Sequence, residues 1–184
     1  MVRHPRNQYQ PPPVAESHAM SGDARAQARG PGLLVPSVPG AVRVRIAEPV
    51  WLAWTRPEHV KKWFAPKPYE VAECQIELRP GGVFLTAMRS PEGEVFAEEP
   101  GCVLEVVENQ RFVWTSAMGP GFRPSDSDFP FTALITMEST ASGTKYRAIA
   151  RHSSAAAKGQ HENMGFHSGW SAALDQLIEL AKTL

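Results

Sequence analysis

The sequence predicts an α+β fold, in which a curved antiparallel sheet of six to seven strands wraps around a long C-terminal helix, with two short helices after the first strand. Residues 153–184 contain no proline and carry apolar side chains three or four positions apart, which is the period of an amphipathic helix. Residues 69–152 instead form short, roughly alternating runs separated by turns that contain glycine or proline, which is typical of antiparallel strands. One long helix is therefore available to cover the apolar face of one sheet.

Length and composition divide the chain into a leader and one domain. A chain of 184 residues suits one domain with a sizeable core, or one domain with an appended tail. Residues 1–38 are rich in Pro, Arg, Gln, Gly and Ser and show neither helical nor alternating apolar patterning. Such a segment does not bury enough apolar surface to offset its conformational entropy. We therefore predict a disordered, Pro-rich leader over residues 1–38 and a folded domain over residues 39–184.

The balance of charge and the cysteine spacing exclude several classes of function. Lys plus Arg and Asp plus Glu number 19 each, so no basic excess favours nucleic acid or an anionic membrane. No apolar run of about 18 residues, the length that a membrane span needs, occurs in the sequence. Pro36 and Pro39 interrupt the apolar stretch near the N-terminus, and we predict a cytoplasmic protein. Cys74 and Cys102 lack the CxxC spacing of zinc and redox motifs, so neither a metal nor a cofactor is expected.

The folded domain begins with a strand and two short helices. Residues 41–46, AVRVRI, alternate apolar and basic side chains, which predicts the first strand. The tryptophan-rich run that follows predicts a helical turn over residues 50–54 and a helix over about residues 56–64. Thr55 and Glu58 have the spacing of a capping box for the second of these. We expect the helices to bury a common set of large side chains, namely Trp54, Val60, Trp63 and Phe64.

Turn signals divide the middle of the chain into strands. Pro80 presets φ and Gly81 accepts the positive φ of a type II turn, so the Gly81-Gly82 pair separates two strands rather than holding a phosphate. Residues 119–130 form a loop that is long enough to act as a lid. The strands are predicted over residues 69–78, 83–90, 94–107 with an interruption at Pro100-Gly101, 111–118, 131–139 and 145–152.

The C-terminal segment is predicted to form one continuous helix, which Ser153 or Ser154 caps at its start. Gly159, Gly165 and Gly169 are unusual, because a glycine inside a helix costs about 1 kcal/mol relative to alanine. Gly165 and Gly169 lie four positions apart and share a face, so two interpretations stay open. Either the helix backbone packs closely on the sheet, or the missing side chains leave room for a guest molecule. The apolar face comprises Phe166, Trp170, Leu174, Leu177, Ala181 and Leu184.

Four motifs carry a resemblance to a known family: VWLAWTRPEHVKKWFAPKPY at residues 50–69, ELRPGG at 77–82, MRSPEGE at 88–94 and MGFHSGWSAALDQL at 164–177. The chain resembles the START-like, or SRPBCC, superfamily with its helix-grip fold, and within it the homologues of the activator of heat-shock protein 90 ATPase. The resemblance implies a curved sheet that grips the C-terminal helix around an elongated cavity. Relatives include lipid carriers, hormone binders, aromatic polyketide cyclases and a co-chaperone domain, so the resemblance implies a scaffold and no particular catalytic residue.

The candidate ligand-binding residues are large apolar side chains around the central space and polar groups that would orient a guest. The aromatic members also suit ordinary core packing, and both interpretations stay open. Arg89 and His152 rank highest among the polar groups, because each ends an alternating strand. His161 and His167 lie six positions apart and lack the i, i+4 spacing of a metal site. The candidates are Trp63, Phe64, Phe84, Met88, Arg89, Phe96, Trp114, Met118, His152, Phe166 and Trp170.

Three functional hypotheses follow from the sequence. The leading one is binding of a small hydrophobic or aromatic molecule between the sheet and the C-terminal helix. The second is a co-chaperone or stress-response domain that binds a heat-shock protein 90 homologue, which the resemblance alone implies. The third is a polyketide-cyclase-like enzyme that moves protons with His152 or Glu98. Spacing reveals no catalytic set, so binding without turnover is favoured. A homodimer through an edge strand or an exposed aromatic loop is also compatible with this fold.

Overall fold

The computed structural model describes residues 47–97, 99–141 and 143–184. The leader predicted over residues 1–38, the strand predicted over residues 41–46 and Glu98 lie outside the described residues. Two short helices come first, antiparallel strands follow, and two helices end the chain. The elements are α1 (Glu48–Thr55), α2 (Pro57–Trp63), β1 (Glu70–Ile76), β2 (Val83–Arg89), β3 (Val95–Ala97), β4 (Gly101–Val107), β5 (Arg111–Thr115), β6 (Met118–Gly119), β7 (Arg123–Pro124), β8 (Phe131–Thr140), β9 (Gly143–His152), α3 (Ala155–Asn163) and α4 (Phe166–Ala181).

α1 and α2 bury two tryptophans. Trp54 and Trp63 are 1% and 0% exposed, and their rings meet edge to face with centroids 4.8 Å apart. The indole N–H of Trp63 donates to the carbonyl oxygen of Ala53 at 2.8 Å, which fixes α2 against α1. The common burial predicted for these helices is confirmed for both tryptophans and for Val60, whereas Phe64 is half-buried.

The capping box predicted for α2 is wrong. Thr55 belongs to α1, and its hydroxyl donates to the carbonyl oxygen of Trp51 at 2.7 Å. Arg56 occupies the cap position of α2, and within the described residues no side chain caps this helix end. Pro57 stands in the first turn, where a helix does not need the missing N–H. α2 is therefore started by the fixed φ of proline and by packing rather than by reciprocal capping.

The main sheet has seven strands and confirms the predicted fold class. β1, β2, β4, β5, β8 and β9 are hydrogen-bonded in that order, and β3 pairs with one end of β2. The register slips between Val71 and Glu73 in β1 and between Val103 and Glu105 in β4. Irregularities of this kind bend a strand and increase its twist. The curled sheet forms half of a barrel, and the strand predicted over residues 94–107 is divided into β3 and β4.

The segment predicted as a lid loop has structure of its own. β6 and β7 pair as a small second sheet, and a short 3-10 turn joins them. The N–H of Gly121 donates to the carbonyl oxygen of Gly81 at 2.8 Å, and the ring of Phe122 lies against Gly81. Gly81 has the positive φ that the sequence predicts, 78°. The hairpin is therefore tied to the turn between β1 and β2, which restrains it from acting as a free lid.

The single C-terminal helix predicted from the sequence is broken into α3 and α4. Gly165 has φ 84° and ψ 24°, a left-handed conformation that glycine adopts without steric strain. Neither earlier interpretation explains Gly165, because its role is to end α3. A Cβ added at Gly169 would lie 3.8 Å from the Pro66 ring, so this glycine packs beside Pro66 and not on the sheet. Ser154 caps α3 as predicted, accepting from the N–H of Ala157 at 3.1 Å.

α4 contributes to the core and also holds the end of α2. Ala173 and Leu177 are 1% and 2% exposed and belong to the same apolar cluster as the sheet residues. The side-chain nitrogen of Gln176 donates to the carbonyl oxygens of Trp63 and Ala65, both at 2.8 Å. These bonds satisfy backbone groups that the end of α2 leaves open. Within the described part of the chain, no helix is long and apolar enough to cross a membrane.

Candidate functional site

Seven ring-bearing side chains meet in a closed circuit between the sheet and the C-terminal helices, and we call this set the aromatic collar. Neighbouring rings have centroids 4.2 to 6.4 Å apart, about the range in which aromatic rings attract one another. In order around the circuit the members are Phe64, Trp170, Phe166, His161, Phe131, Trp114 and Phe84, which contacts Phe64 again.

The periodicity of each element brings the collar together. Phe166 and Trp170 lie four positions apart on α4, so they share a face, and their rings are nearly parallel at 9°. Trp114 on β5 stands opposite Ala133 on β8, two positions from Phe131, so the strand alternation puts both aromatic rings on one face. Sequence-distant elements therefore supply one continuous aromatic surface.

Two members of the collar lie deep and the others keep some contact with solvent. Phe84 and Trp114 are 3% and 8% exposed, and their rings stack with centroids 4.2 Å apart. The other five members are half-buried. Apolar rings that remain partly exposed leave surface that a guest molecule could cover, with a gain of about 25 cal/mol for each Å² removed from water.

His152 of β9 adjoins the collar and bonds to one of its members. Nε2 of His152 and Nδ1 of His161 are 2.8 Å apart, which is a hydrogen-bond distance; we call these residues the histidine pair. The ring of Phe129 meets that of His161 edge to face at 4.8 Å, and the ring of Phe131 stacks on that of His152 at 6.2 Å. The pair therefore joins β9 to α3 within apolar surroundings.

The surroundings of the histidine pair change the acidity of His161. Burial, together with the smaller effects of the neighbouring His152 and His167, lowers the pKa of His161 from its ordinary value of 6.5 to about 4. Burial acts in this way because it disfavours the charged imidazolium. His161 is therefore neutral at pH 7 and suited to a neutral hydrogen bond with His152.

We expect the free energy of unfolding to decrease as the pH falls from about 6.5 to about 4. The pKa of His161 is lower in the folded protein, so in this window the unfolded chain binds a proton that the folded chain does not. One pKa unit corresponds to about 1.4 kcal/mol, but His161 is only half-buried and solvent screening reduces the effect to about 1–2 kcal/mol. Urea denaturation of the wild type and His161→Phe at several pH values measures it. The same decrease in both proteins would assign the effect to other groups.

Several residues predicted from the sequence meet at the collar. His152 adjoins it through the histidine pair. Trp63 lies behind it, 0% exposed, with its ring centroid 6.1 Å from that of Trp170. Five predicted candidates are collar members, namely Phe64, Phe84, Trp114, Phe166 and Trp170.

The other predicted candidates lie outside the collar. Met88 and Phe96 are half-buried and stand opposite each other on β2 and β3. Arg89 is exposed at the end of β2, and Met118 is 39% exposed on β6. Since these four side chains are not collar members, their role as ligand contacts stays a prediction.

Two collar members are absent from the residues predicted from the sequence. Phe131 starts β8, and its alternation with Ala133 and Ile135 was a signal that it faces the core. On one continuous helix, the spacing of His161 relates it to His167 and not to His152. The break at Gly165 instead leaves α3 free to bring His161 back to the end of β9.

The cavity beside the collar is small. It has a volume of about 20 Å³, and its lining includes Phe84, Thr86, Trp114 and Ser116. The indole N–H of Trp114 is buried and has no hydrogen-bond partner among the described residues. The cavity has room for about one water molecule. A larger cleft of about 270 Å³ contains no collar residue in its lining and includes the exposed Arg111–Glu105 ion pair, at 3.2 Å.

The described residues do not form a metal centre. Among them, no three His, Cys, Asp or Glu side chains lie close enough to hold a metal ion. Burial raises the pKa of the Cys74 thiol to about 11; the charge of Lys61 lowers it to a smaller extent, and that of Glu58 raises it. Cys74 is therefore protonated at neutral pH, which makes it a poor nucleophile.

The chain is similar to several proteins of known structure. Protein NE0264 from Nitrosomonas europaea is 44% identical over 74% of this chain and 87% of its own, with a TM-score of 0.70. Protein Ms6760 from Mycobacterium smegmatis is 26% identical over 73% of this chain and 82% of its own, with a TM-score of 0.60. An AHSA1-like protein from Aeromonas hydrophila, 21% identical over 74% of this chain and 85% of its own, shares the fold at a TM-score of 0.54. No curated protein matches the chain.

A protein-family match covers most of the folded part. The model for "Activator of Hsp90 ATPase homolog 1-like protein" matches residues 46–182. The match includes every helix and strand described above. It agrees with the resemblance that the sequence motifs carry, which is thereby confirmed. The chain therefore belongs to the family of activator of Hsp90 ATPase homolog 1-like proteins.

Proposed function

We propose that this domain binds a small hydrophobic or aromatic molecule against the aromatic collar. The observation that carries the proposal is the closed circuit of rings, five of which are half-buried. Ligand sites are typically concave, apolar and aromatic, with a few polar groups that fix the orientation of the guest. The collar supplies the apolar surface, and the histidine pair and the unpaired indole N–H of Trp114 supply polar groups.

Binding requires side chains or α3 to move. The cavity beside the collar has a volume of about 20 Å³, whereas pockets for small organic molecules typically have about 300–1,000 Å³. α3 is the element best suited to move, since none of its described residues is buried. It lies between the cap at Ser154 and the left-handed Gly165, which are natural points for a change of direction. In this proposal α3 pivots about the bond between His152 and His161, which stays intact, and the guest enters the gap that opens between α3 and the rings.

A neutral fluorescent probe tests the proposal. We expect N-phenyl-1-naphthylamine, an uncharged amine with a phenyl and a naphthyl group, to bind the wild type saturably and to fluoresce more strongly when bound. Phe166→Ala removes a collar ring that lies 4.3 Å from His161, and should weaken the affinity about tenfold. Phe122→Ala is the matched control, because it removes an equally large ring that is 52% exposed and outside the collar. An affinity that Phe166→Ala leaves unchanged would contradict the proposed site.

An interaction with a heat-shock protein 90 homologue is the second candidate. The family name supports it, and so does an exposed apolar surface on the β6–β7 hairpin, where Met118 and Phe122 are 39% and 52% exposed. Exposed apolar patches are typical of protein interaction sites. Calorimetric titration with such a homologue distinguishes the two functions, since Phe122→Ala should weaken only the protein interaction.

A polyketide-cyclase-like activity has less support. Of the two proton-moving residues considered for it, His152 adjoins the collar, while Glu98 lies outside the described residues. Catalysis of this kind would need a positioned acid or base within hydrogen-bond reach of the reacting atom. Binding without turnover is therefore the function that we put forward.

A further inference from the structure

The histidine pair offers a ligand one hydrogen-bond donor and one acceptor. Each neutral imidazole carries one N–H and one lone pair. One of the inner nitrogens, His152 Nε2 or His161 Nδ1, must therefore donate across the 2.8 Å contact while the other accepts. The histidine that donates at its inner nitrogen has a lone pair at its outer one, and its partner has an N–H there. Whichever tautomer forms, the outer nitrogens His152 Nδ1 and His161 Nε2 present one N–H and one lone pair.

These outer nitrogens are unpaired among the described residues. No described residue forms a hydrogen bond with His152 Nδ1 or His161 Nε2; the bond between the two rings is the one that each histidine makes. The ring of Phe166 lies 4.3 Å from that of His161, and both belong to the collar. A molecule that covers the half-buried collar rings therefore lies next to the free nitrogens.

Within the described residues, no Lys or Arg side chain bonds to either histidine of the pair. The charged side chains closest to the pair along the chain and on the neighbouring elements are exposed. Glu162 is engaged by Lys158 at 3.3 Å and by His167 at 3.5 Å. An anion in such apolar surroundings is stabilised only if a proton accompanies it. The neighbouring groups are Asp128 before β8, Arg151 on β9, Lys158 and Glu162 on α3, and His167 on α4.

We infer that the guest of the collar is an aromatic weak acid, a phenol or a carboxylic acid, whose acidic oxygen binds the histidine pair and whose proton stays in the complex. This inference rests on the ligand site proposed above. A hydroxyl or protonated carboxyl group can both donate and accept a hydrogen bond, so it suits either outer nitrogen, and the complex remains neutral overall. The pKa of His161, about 4, supports the inference, because it leaves His161 uncharged until an anion arrives.

Two matched probes test the inference. 8-Anilinonaphthalene-1-sulfonate carries a permanent negative charge and stands for the conjugate base of a weak acid, whereas N-phenyl-1-naphthylamine has the same rings without the charge. Calorimetry at pH 6.5 in buffers with different ionisation enthalpies measures how many protons the protein takes up on binding. We expect uptake approaching one proton with the sulfonate and none with the neutral probe. The affinity for the sulfonate should also decrease as the pH rises.

Variants identify the proton acceptor. His161→Phe keeps an aromatic ring in the collar but removes the pair, so it should abolish proton uptake and weaken sulfonate binding about tenfold or more. The loss of affinity should be larger for the sulfonate than for the neutral probe, because binding of the neutral probe takes up no proton. His167→Phe is the control, since His167 is exposed and outside the collar, and proton uptake should persist. If His161→Phe does not fold, His152→Phe removes the same hydrogen bond from the strand side.

The outcomes separate this inference from the proposed function. If neither probe binds, the ligand-binding function itself fails. If both probes bind with similar affinity and without proton uptake, the collar is a ligand site but the weak-acid inference is overturned. Uptake that persists in both His161→Phe and His152→Phe would also overturn it, because another group would then hold the proton.

Discussion

Replacing Trp63 with alanine is expected to lower the free energy of unfolding by about 3–5 kcal/mol. Trp63 is 0% exposed and its ring packs against those of Trp54 and Trp170, with centroids 4.8 and 6.1 Å away. The substitution leaves a large cavity between α1, α2 and α4, and it also removes the hydrogen bond from the indole to the carbonyl oxygen of Ala53. Urea denaturation followed by circular dichroism measures the loss.

Leu78→Ala is the control for this prediction. Leu78 is 43% exposed, so its truncation should cost less than about 1 kcal/mol. A Trp63→Ala variant with a stability close to that of Leu78→Ala would contradict the central place of Trp63 in the core. The comparison also separates cavity formation from a general effect of removing apolar side chains.

Replacing Gly82 with alanine is expected to cost about 3 kcal/mol, the upper part of the range for overpacked sites. A Cβ at this position would lie 2.3 Å from the carbonyl oxygen of Glu77 and 2.8 Å from that of Arg79. Both atoms belong to the backbone of the turn between β1 and β2, so no flexible side chain can move aside. Relief requires the turn to open, which strains the bond between the N–H of Val103 and the carbonyl oxygen of Gly82, at 2.8 Å. Thermal unfolding measures the loss.

Gly159→Ala is the matched control for Gly82→Ala. No heavy atom lies within 4 Å of a Cβ added at Gly159, which is inside α3. Since alanine is the better helix former, this substitution should raise the stability by up to about 1 kcal/mol. If Gly82→Ala proves as stable as the wild type, the close approach at Gly82 is not a constraint on the fold.

Local periodicity made most of the fold predictable. The alternation in residues 131–139 and 145–152 and the helical spacing from Phe166 onward depend on one face of each element being buried, and the structure keeps both patterns. The break at Gly165 was not predictable in the same way. Glycine destabilises the interior of a helix but favours the left-handed conformation that ends one. The sequence around Gly165 is therefore compatible with a continuous helix and with two helices. Thr55 and Glu58 likewise have the spacing of a capping box, but the hydroxyl of Thr55 donates to the carbonyl oxygen of Trp51 in α1 instead.

The candidate site was predictable in its aromatic members and not in its polar ones. Large rings such as Trp170 and Phe84 face the interior because the pattern of their own element requires it. The bond between His152 and His161 depends instead on how β9 and α3 meet, and no periodic pattern encodes that junction. Patterns within one element therefore identify the apolar surface, whereas hydrogen bonds between polar groups of different elements are visible only in the three-dimensional structure.

The bonds from Gln176 to the carbonyl oxygens of Trp63 and Ala65 have a consequence for how the protein is made. Gln176 and Trp63 are separated by 113 positions along the chain. At a synthesis rate of about 5–20 residues per second, the segment between them takes on the order of 10 seconds to emerge from the ribosome. During that interval the tryptophans of α1 and α2 have no α4 to cover them. The nascent domain therefore exposes its most apolar side chains until the strands and α4 have all been synthesised.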